Sequence, residues 1–204
     1  MVTSFTQLLA QRYGGQLDSD ADQIIGFAVD GAKRMEALIR DLLTYSRLSV
    51  KGRPFESTNC ETVLDLTINN LQLLIKETNT SITINSLPTL LADHSQLLQL
   101  WQNLITNAIK YRSDKPPQIE IGAKVQNNQW LFSVKDNGIG IDSSYYERVF
   151  AIFQRLHTRE KYPGTGIGLA VCQKIVDRHG GKIWVESESG QGSTFYFTIP
   201  IAKT

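Results

Sequence analysis

The chain has 204 residues, of which 41% are hydrophobic and 20% are charged, and its formal net charge is +1. This length and apolar content exclude an intrinsically disordered protein and allow a core of its own. The balance of 21 basic and 20 acidic residues argues against nonspecific nucleic-acid binding. No apolar run approaches the roughly 18 residues of a membrane span, and we expect neither a membrane segment nor a signal peptide.

The two cysteines, Cys60 and Cys172, stand far apart in the chain. Neither belongs to a Cys-x-x-Cys pair or to the Cys/His spacing of a metal site. We therefore expect both to be reduced thiols, as is typical of a cytoplasmic protein.

Two helices are predicted in the first quarter of the chain. The first has apolar residues at helical spacing that stop before Gly14-Gly15, a C-cap signal: Val2, Phe5, Leu8 and Leu9. Asp20, with Gln23 three residues later, resembles a capping box that starts the second helix. The apolar stripe of this helix runs much further, through Ala21, Ile24, Ile25, Ala28, Ala32, Met35, Leu38, Ile39, Leu42 and Leu43.

A short connection makes these helices antiparallel neighbours, so the first can cover only the N-terminal half of the second. The stripe from Met35 to Leu43 is left without a partner inside the hairpin, so we expect an interface with another subunit, missing residues upstream of Met1, or both. The apolar pattern is already under way at Met1, and we expect Met1 to be an internal residue of a longer chain.

The helical pattern is broken by Gly52 and Pro54, and we predict a linker over residues 51–56. It separates the hairpin of residues 1–50 from a second domain of residues 57–204. Helices are predicted there over residues 60–76 and 94–111 and from 166 or 167 to 179, with a short one from 142. Strands are predicted over residues 81–86, 119–125, 130–135, 182–186 and 194–199, with Asn127-Asn128 as a hairpin turn. The second domain is therefore predicted to be α+β.

The helix that begins at His94, capped by Asp93, carries two amides and a cation on one face. Asn103 and Asn107 lie four residues apart and Lys110 follows one turn later, so the three side chains point the same way. A solvated polar face explains this pattern equally well, although Asn is a mediocre helix former. The functional alternative is a magnesium ion bound by amide oxygen, with Lys110 on a phosphate.

The second motif, Asp136-Asn137-Gly138-Ile139-Gly140-Ile141, directly follows a predicted strand. Asp-Asn-Gly alone is typical of a plain turn. The strand is already paired through Asn127-Asn128, however, so this motif need not form another tight hairpin. A carboxylate followed by two glycines offers an acceptor for the amino group of a base and a backbone that a flat ring can approach.

The third motif, Gly164-Thr165-Gly166-Ile167-Gly168, lies at a predicted helix N-terminus, where backbone amides and the helix dipole favour an anion. The rival interpretation is a dinucleotide fingerprint, with Glu186 as the ribose ligand. That fingerprint is Gly-x-Gly-x-x-Gly directly after a strand. The spacing here is Gly-x-Gly-x-Gly after Tyr162-Pro163, which favours the simpler anion site.

In this order the three motifs resemble the N, G1 and G2 boxes of histidine kinase ATP-binding domains. Residues 147–157, with the sequence ERVFAIFQRLH, resemble the F box, and residues 190–194 resemble the last glycine box. Residues 31–47 are similar to the second helix of the family's dimerisation hairpin, so the resemblance covers essentially the whole chain. The sequences of residues 153–157 and 162–166 are most similar to those of cyanobacterial phytochrome-type sensor kinases.

The resemblance implies the Bergerat ATP-binding fold, a two-layer α/β sandwich in which a mixed sheet is backed by helices. It implies that Asp136 accepts a hydrogen bond from the adenine amino group, that Asn107 binds Mg²⁺ with Asn103 assisting, and that Lys110 contacts phosphate. It also implies that Phe150 and Phe153 anchor a lid and dock it on the hairpin. The remaining residues expected at the ATP site are Tyr111, Gly138, Gly140, Ile141, Gly164, Thr165, Gly166, Gly168, Leu169 and Thr194.

The same fold occurs in gyrase-like and chaperone ATPases, so the reaction must be inferred from the site. In those hydrolases a glutamate one turn before the magnesium-binding Asn activates water. Asn103 stands at that place and cannot act as a general base, which favours transfer to a protein acceptor. The long hairpin argues against a serine kinase of the anti-sigma type. A non-catalytic module that regulates a partner kinase is the remaining alternative.

The resemblance implies that the acceptor is a histidine on the first hairpin helix, which then passes the phosphate to a response regulator. The three histidines, His94, His157 and His179, all lie outside the hairpin, and each is more simply a surface or cap residue. We therefore expect the acceptor and a sensor domain upstream of this chain. We also expect a homodimer that cannot autophosphorylate as this chain alone.

Overall fold

The computed structural model describes residues 1–50, 54–156, 162 and 164–201, and only the backbone of residues 49 and 50. It begins with an antiparallel helical hairpin of α1 (Val2–Tyr13) and α2 (Ser19–Val50). The predicted end of α1 is confirmed, because the Gly14 amide donates to the carbonyl of Ala10 and Gly15 follows with a φ of 72°.

The start of α2 differs from the prediction by two residues. Asp20 is not its cap, since the helix already begins at Ser19. Asp18 caps it instead, accepting a hydrogen bond from the amide of Ala21 at 2.8 Å. Acidic residues at 18, 20 and 22 offer three possible starts, and the sequence pattern selects the wrong one.

The apolar stripe of α2 lies in two different surroundings. Leu38, Tyr45 and Leu48 pack against the core of the second domain. The adjacent residues Met35, Ile39, Leu42 and Leu43 are 47% to 60% exposed. Helix α1 has no buried residue, so the hairpin presents a broad apolar surface to solvent.

The second domain alternates short strands and helices. Its elements in chain order are β1 (Glu56–Asn59), α3 (Cys60–Asn70), α4 (Gln72–Glu77), β2 (Ser81–Ile84), β3 (Thr89–Ala92), α5 (His94–Lys110), β4 (Gln118–Gln126), β5 (Gln129–Asp136), the 3₁₀ turns Ser143–Tyr145 and Arg148–Phe150, α6 (Gly168–Arg178), β6 (Ile183–Glu188) and β7 (Gly192–Pro200). No helix in the described ranges is both long and apolar enough to cross a membrane.

The main sheet has the strand order β2-β4-β5-β7-β6. Strand β2 runs parallel to β4, and the other neighbours are antiparallel, so the sheet is mixed. The predicted turn between β4 and β5 is confirmed by the φ values of 50° at Asn127 and 58° at Asn128. Two successive residues in the left-handed region are the signature of a type I′ turn.

An aromatic cluster joins α5 to the sheet. Trp101 of α5 meets Phe132 of β5 and Phe197 of β7 edge-on, with ring centroids 5.9 and 5.3 Å apart. The two phenylalanines stack on each other at 4.7 Å, and all three side chains are fully buried. This packing confirms the predicted two-layer α+β sandwich, and it fixes the rotation of α5 about its axis.

Three local features differ from the expected pattern. Strands β1 and β3 form a small antiparallel sheet that the sequence does not predict. The predicted helix over residues 60–76 is interrupted at Leu71 and forms α3 and α4. Within the predicted linker, residues 51–53 lie outside the described residues, and Glu56 already belongs to β1.

Candidate functional site

Helix α5 is anchored at its first turn by Asp93, which is buried. Its carboxylate accepts hydrogen bonds from the amides of Ser95 and Gln96 at 3.1 and 3.3 Å. It also forms an ion pair with Arg178 of α6 at 3.0 Å. The backbone amide of Asp93 donates to His179 Nε2 at 3.1 Å, so the start of α5 is tied to the end of α6.

A first cavity opens beside α5 where β5 ends. Its wall is mainly apolar, with one carboxylate among the lining residues, which are Asn107, Tyr111, Asp136, Ile139, Gly140, Ile141, Val149, Gln154, Arg155, Leu156, Leu169, Ser193 and Phe195. An apolar cleft with a few converging polar groups is the usual setting for a flat heterocyclic ligand.

Asp136 is the polar centre of this first cavity. Its Oδ1 accepts hydrogen bonds from the backbone amides of Gly138 at 2.8 Å and Ser193 at 3.2 Å. Burial raises the pKa of this carboxyl from 3.8 to about 6, although the two amide bonds act in the opposite direction. The ionised group can accept a further hydrogen bond through Oδ2, which suits an exocyclic amino group.

The glycines of the Asp136 motif allow the backbone to pass close to neighbouring chain segments. Gly140 has a φ of 70°, and a Cβ there would overlap the carbonyl oxygen of Glu188. A Cβ on Gly138 would overlap the carbonyl oxygen of Tyr111, which accepts the amide of Ile139 at 2.9 Å. Both positions therefore require glycine, but only Gly140 lines the cavity, and the expected site residue Gly138 lines neither cavity.

A second cavity continues from the first along α5 and ends against the hairpin. It is lined by Asp41, Thr44, Gln99, Asn103, Thr106, Asn107, Lys110, Tyr111, Val149, Gln154, Gly164, Thr165, Gly166, Gly168, Leu169 and Val171. Asn107 and Tyr111 line both cavities, so they stand at the junction.

Lys110 brings a positive charge to the second cavity. Its Nζ donates to the Tyr111 hydroxyl at 2.9 Å. It also lies beside Gly164, where an added Cβ would come within 2.7 Å of Nζ. The cation therefore faces the glycine segment of residues 164–168, with its unhindered backbone. This combination suits a phosphate chain.

The hairpin contributes directly to the second cavity. Thr165 Oγ1 donates a hydrogen bond of 2.6 Å to Asp41 Oδ2 of α2. The Lys174 ammonium of α6 lies 3.9 Å from the centre of the Tyr45 ring, one turn further along α2. Sequence reasoning misses this contact, although Asp41 lies between Leu38 and Tyr45 on the face of α2 that packs on the domain.

The structure brings most of the expected site residues to the two cavities. Phe150 is instead buried behind the first cavity, with its ring edge-on to Phe195 at 6.4 Å. Phe153 is 57% exposed and lines neither cavity. Thr194 lies between Ser193 and Phe195, which line the first cavity, so its side chain points to the other face of β7.

Ser193 is a site residue that sequence reasoning misses. The signal was the period of two along β7, which places Ser193 and Phe195 on the same face. Gln154 and Arg155 also line the first cavity. The sequence resemblance places both in the F-box segment and predicts no role in the site for either.

The histidines of the described residues have structural surroundings. His94 is exposed at the first residue of α5. His179 is buried, and its Nδ1 lies 2.7 Å from the Ile175 carbonyl while Nε2 accepts the Asp93 amide. Burial lowers the pKa of His179, which keeps the ring neutral. His157 lies outside the described residues.

The side chains present fit a magnesium ion that is held mostly by its nucleotide. The Asn107 side chain makes no hydrogen bond to any other described residue and faces both cavities. Within the described ranges, no group of three His, Cys, Asp or Glu side chains could hold a metal alone. Mg²⁺ commonly takes few protein ligands and completes its shell with phosphate oxygens and water.

This fold is that of the histidine kinase type of ATP-binding domain. Residues 92–203 match the family model described as histidine kinase-, DNA gyrase B- and HSP90-like ATPase, and the chain belongs to that family. Within the family it carries the catalytic domain of the sensor histidine kinases. It is 54% identical over 200 residues to cyanobacterial phytochrome A of a Nostoc species, covering 98% of this chain.

The chain spans about a quarter (26%) of the length of that relative. Among solved structures it resembles full-length ShkA in complex with AMPPNP, with a TM-score of 0.73, 25% identity, and coverage of 100% of this chain and 43% of that one. It also resembles the histidine kinase ThkA in complex with the response regulator TrrA. There the TM-score is 0.70 at 25% identity, over 98% of this chain and 57% of the other.

Proposed function

We propose that this chain binds Mg·ATP across the two cavities and transfers the γ-phosphate to a histidine on a dimerisation helix, for relay to a response regulator. The observation that carries the proposal is the junction at Asn107. On one side lies the apolar cavity with the Asp136 carboxylate, and on the other lie Lys110 and the glycine segment of residues 164–168. The two cavities thus have the order of a base followed by phosphates.

At the adenine end, Asp136 accepts the hydrogen bond of the exocyclic amino group. Tyr111, Ile141 and Leu169 enclose the ring, and Gly140 lets the backbone approach its face. Adenine selectivity rests on the ionised carboxylate. A base with a carbonyl oxygen at this place would put two hydrogen-bond acceptors opposite each other.

At the phosphate end, Asn107 holds the metal and Lys110 contacts the phosphates, with Gly164, Thr165, Gly166 and Gly168 around them. A bound Mg²⁺ would supply charge neutralisation for the transferring phosphoryl group. The residues of this chain orient the triphosphate and exclude water from it. The order of the cavities aims the γ-phosphate toward the hairpin side.

Transfer to a protein is favoured over hydrolysis by the residue one turn before Asn107. Asn103 has no proton-accepting charge, and its amide already donates to the Gly168 carbonyl at 3.2 Å. None of the α5 residues that line the second cavity is a carboxylate or a histidine that could act as a general base toward water. We therefore infer slow hydrolysis in the absence of an acceptor.

The apolar surface of the hairpin supports a homodimer, and the ThkA complex with TrrA supports a response regulator as the receiver of the phosphate. The partial coverage of the Nostoc phytochrome supports a sensor domain in the complete protein. Cys60 and Cys172 are free thiols, as suits the reducing cytoplasm. Residues 1–50 contain no histidine, so we propose that this chain alone does not autophosphorylate.

The test is incubation of the chain with γ-labelled ATP and Mg²⁺, alone and together with a hairpin that carries an acceptor histidine. We expect acid-labile label on the added hairpin and none on this chain. The control is an added hairpin with that histidine replaced by alanine. Label on this chain alone would contradict the acceptor argument. Nucleotide binding without transfer to any hairpin would favour a non-catalytic regulatory module.

A further inference from the structure

The structure treats the two asparagines of α5 differently. Asn103 Nδ2 donates to the carbonyl of Gly168 at 3.2 Å. The amide of Asn107 has no such partner among the described side chains and backbone groups, and it faces both cavities. The two asparagines lie one turn apart on α5 but have different surroundings, which indicates different roles.

The partner of Asn103 belongs to the first turn of α6, because Gly168 is the first residue of this helix. The residue before the helix, Ile167, provides no side-chain cap. A Cβ on Gly168 would lie 3.7 Å from Asn103 Cγ, so the amide packs directly on the backbone of that first turn. Asn103 thus stabilises the beginning of α6 through a hydrogen bond from α5.

The hydrogen bond to Gly168 holds the Asn103 amide through its Nδ2, and Asn103 also lines the second cavity. The Gly168 carbonyl therefore restricts the rotation of this amide, whereas no described group restricts the amide of Asn107. A rotation of Asn103 that breaks this bond would remove the contact between α5 and the first turn of α6.

We propose that Asn103 is a positioning residue and not a magnesium ligand. It fixes the start of α6 and, through it, the glycine segment of residues 164–168, and it leaves Asn107 as the amide that meets the metal. This proposal rests on the proposed ATP-binding function. It differs from the expected assistance of Asn103 in metal binding. It predicts that removal of the Asn103 side chain alters the start of α6 and the glycine segment and leaves the Mg²⁺ dependence unchanged.

The test compares Asn103→Ala, Asn103→Asp and Asn107→Ala in the full chain, with the exposed neighbour Gln102→Ala as the matched control. Asn103→Asp keeps an oxygen for a metal but cannot donate to the Gly168 carbonyl. The first measurement is amide hydrogen exchange over residues 168–172 without nucleotide. The second is calorimetric ATP binding as a function of Mg²⁺ concentration, which gives the half-saturating Mg²⁺.

We expect both Asn103 variants to exchange the α6 amides about five to ten times faster, as loss of one hydrogen bond implies, with half-saturating Mg²⁺ unchanged. Asn107→Ala should do the opposite and raise half-saturating Mg²⁺ at least about tenfold at normal exchange. The proposal is overturned if Asn103→Ala shifts the Mg²⁺ dependence as Asn107→Ala does. Unchanged exchange in both Asn103 variants also overturns it. Failure of the unmodified chain to bind ATP refutes the proposed function, while the exchange measurement still decides the position of Asn103.

Discussion

Replacing Asp136 by asparagine should stabilise the nucleotide-free protein and weaken ATP binding at the same time. The asparagine oxygen can still accept the amides of Gly138 and Ser193, so the local backbone is kept. What changes is the charge, together with the acceptor that Oδ2 offers to adenine. The opposite signs of the two effects distinguish a ligand-binding carboxylate from one that merely supports the fold.

The size of the stability effect follows from the raised pKa. A carboxyl whose pKa is higher in the folded state favours folding when protonated, and this contribution is lost as the pH rises through about 6. The rise from 3.8 to about 6 corresponds to about 3 kcal/mol, at about 1.4 kcal/mol for each tenfold change in the ionisation constant. Asp136→Asn should therefore gain at most about 3 kcal/mol of stability at about pH 8, and little at about pH 4.

Denaturant unfolding at these two pH values measures the first effect, and calorimetry with ATP measures the second. ATP should bind the variant about tenfold to a hundredfold more weakly, because a hydrogen bond to a charged acceptor is lost. In the unmodified chain ATP affinity should fall as the pH drops below about 6. Asp65→Asn, an exposed carboxylate on α3, is the control and should change neither quantity. Equal ATP affinity in the Asp136 variant, or no gain in stability at about pH 8, would refute the reasoning.

Three further predictions concern the surroundings of the site. Asn107→Ala should raise the half-saturating Mg²⁺ for ATP binding at least about tenfold without a change in thermal stability. Calorimetry over a range of Mg²⁺ concentrations checks this, and an unchanged Mg²⁺ dependence would exclude the assignment. Gly140→Ala should cost about 2 to 4 kcal/mol in denaturant unfolding, because of its positive φ and the overlap with the Glu188 carbonyl. Gly190→Ala, also at positive φ but with no neighbour near the new Cβ, should cost only about 1 kcal/mol, and equal costs would contradict the steric argument. Burial lowers the pKa of His179, so its contribution to stability is present above its ordinary pKa and is lost as the pH falls. His179→Gln should remove this part of the acid unfolding profile, which circular dichroism follows. An unchanged profile would count against the prediction.

The sequence was most informative where the determinants are local. The turn at Asn127 and Asn128 was predictable because few residues other than Asn and Gly enter the left-handed region easily. The polar face of α5 was predictable from a helical period that places Asn103 and Asn107 together. These features depend on neighbours within a few residues, and periodicity records such neighbours directly.

Features that depend on distant pairing were not predictable in this way. Strands β1 and β3 have four residues each and pair across the whole of α3, α4 and β2, so neither has a strong pattern of its own. The contact between Asp41 and Thr165 joins residues 124 positions apart. The partner of Asn103, the Gly168 carbonyl, lies 65 residues further along the chain on α6. In each case the partner lies in a distant part of the chain, so the local sequence pattern does not indicate it.

The hydrogen bond between Thr165 and Asp41 makes the hairpin and the nucleotide cavity thermodynamically linked. A movement of α2 that withdraws Asp41 takes away a partner of the glycine segment, and with it part of the free energy that shapes the second cavity. Linkage works equally in both directions. Any free energy that this contact adds to nucleotide binding is also the free energy by which bound nucleotide stabilises the contact. Rotation of α2 would therefore cost more free energy in an ATP-bound domain than in an empty one. The hairpin would thus respond to whether the second cavity is filled.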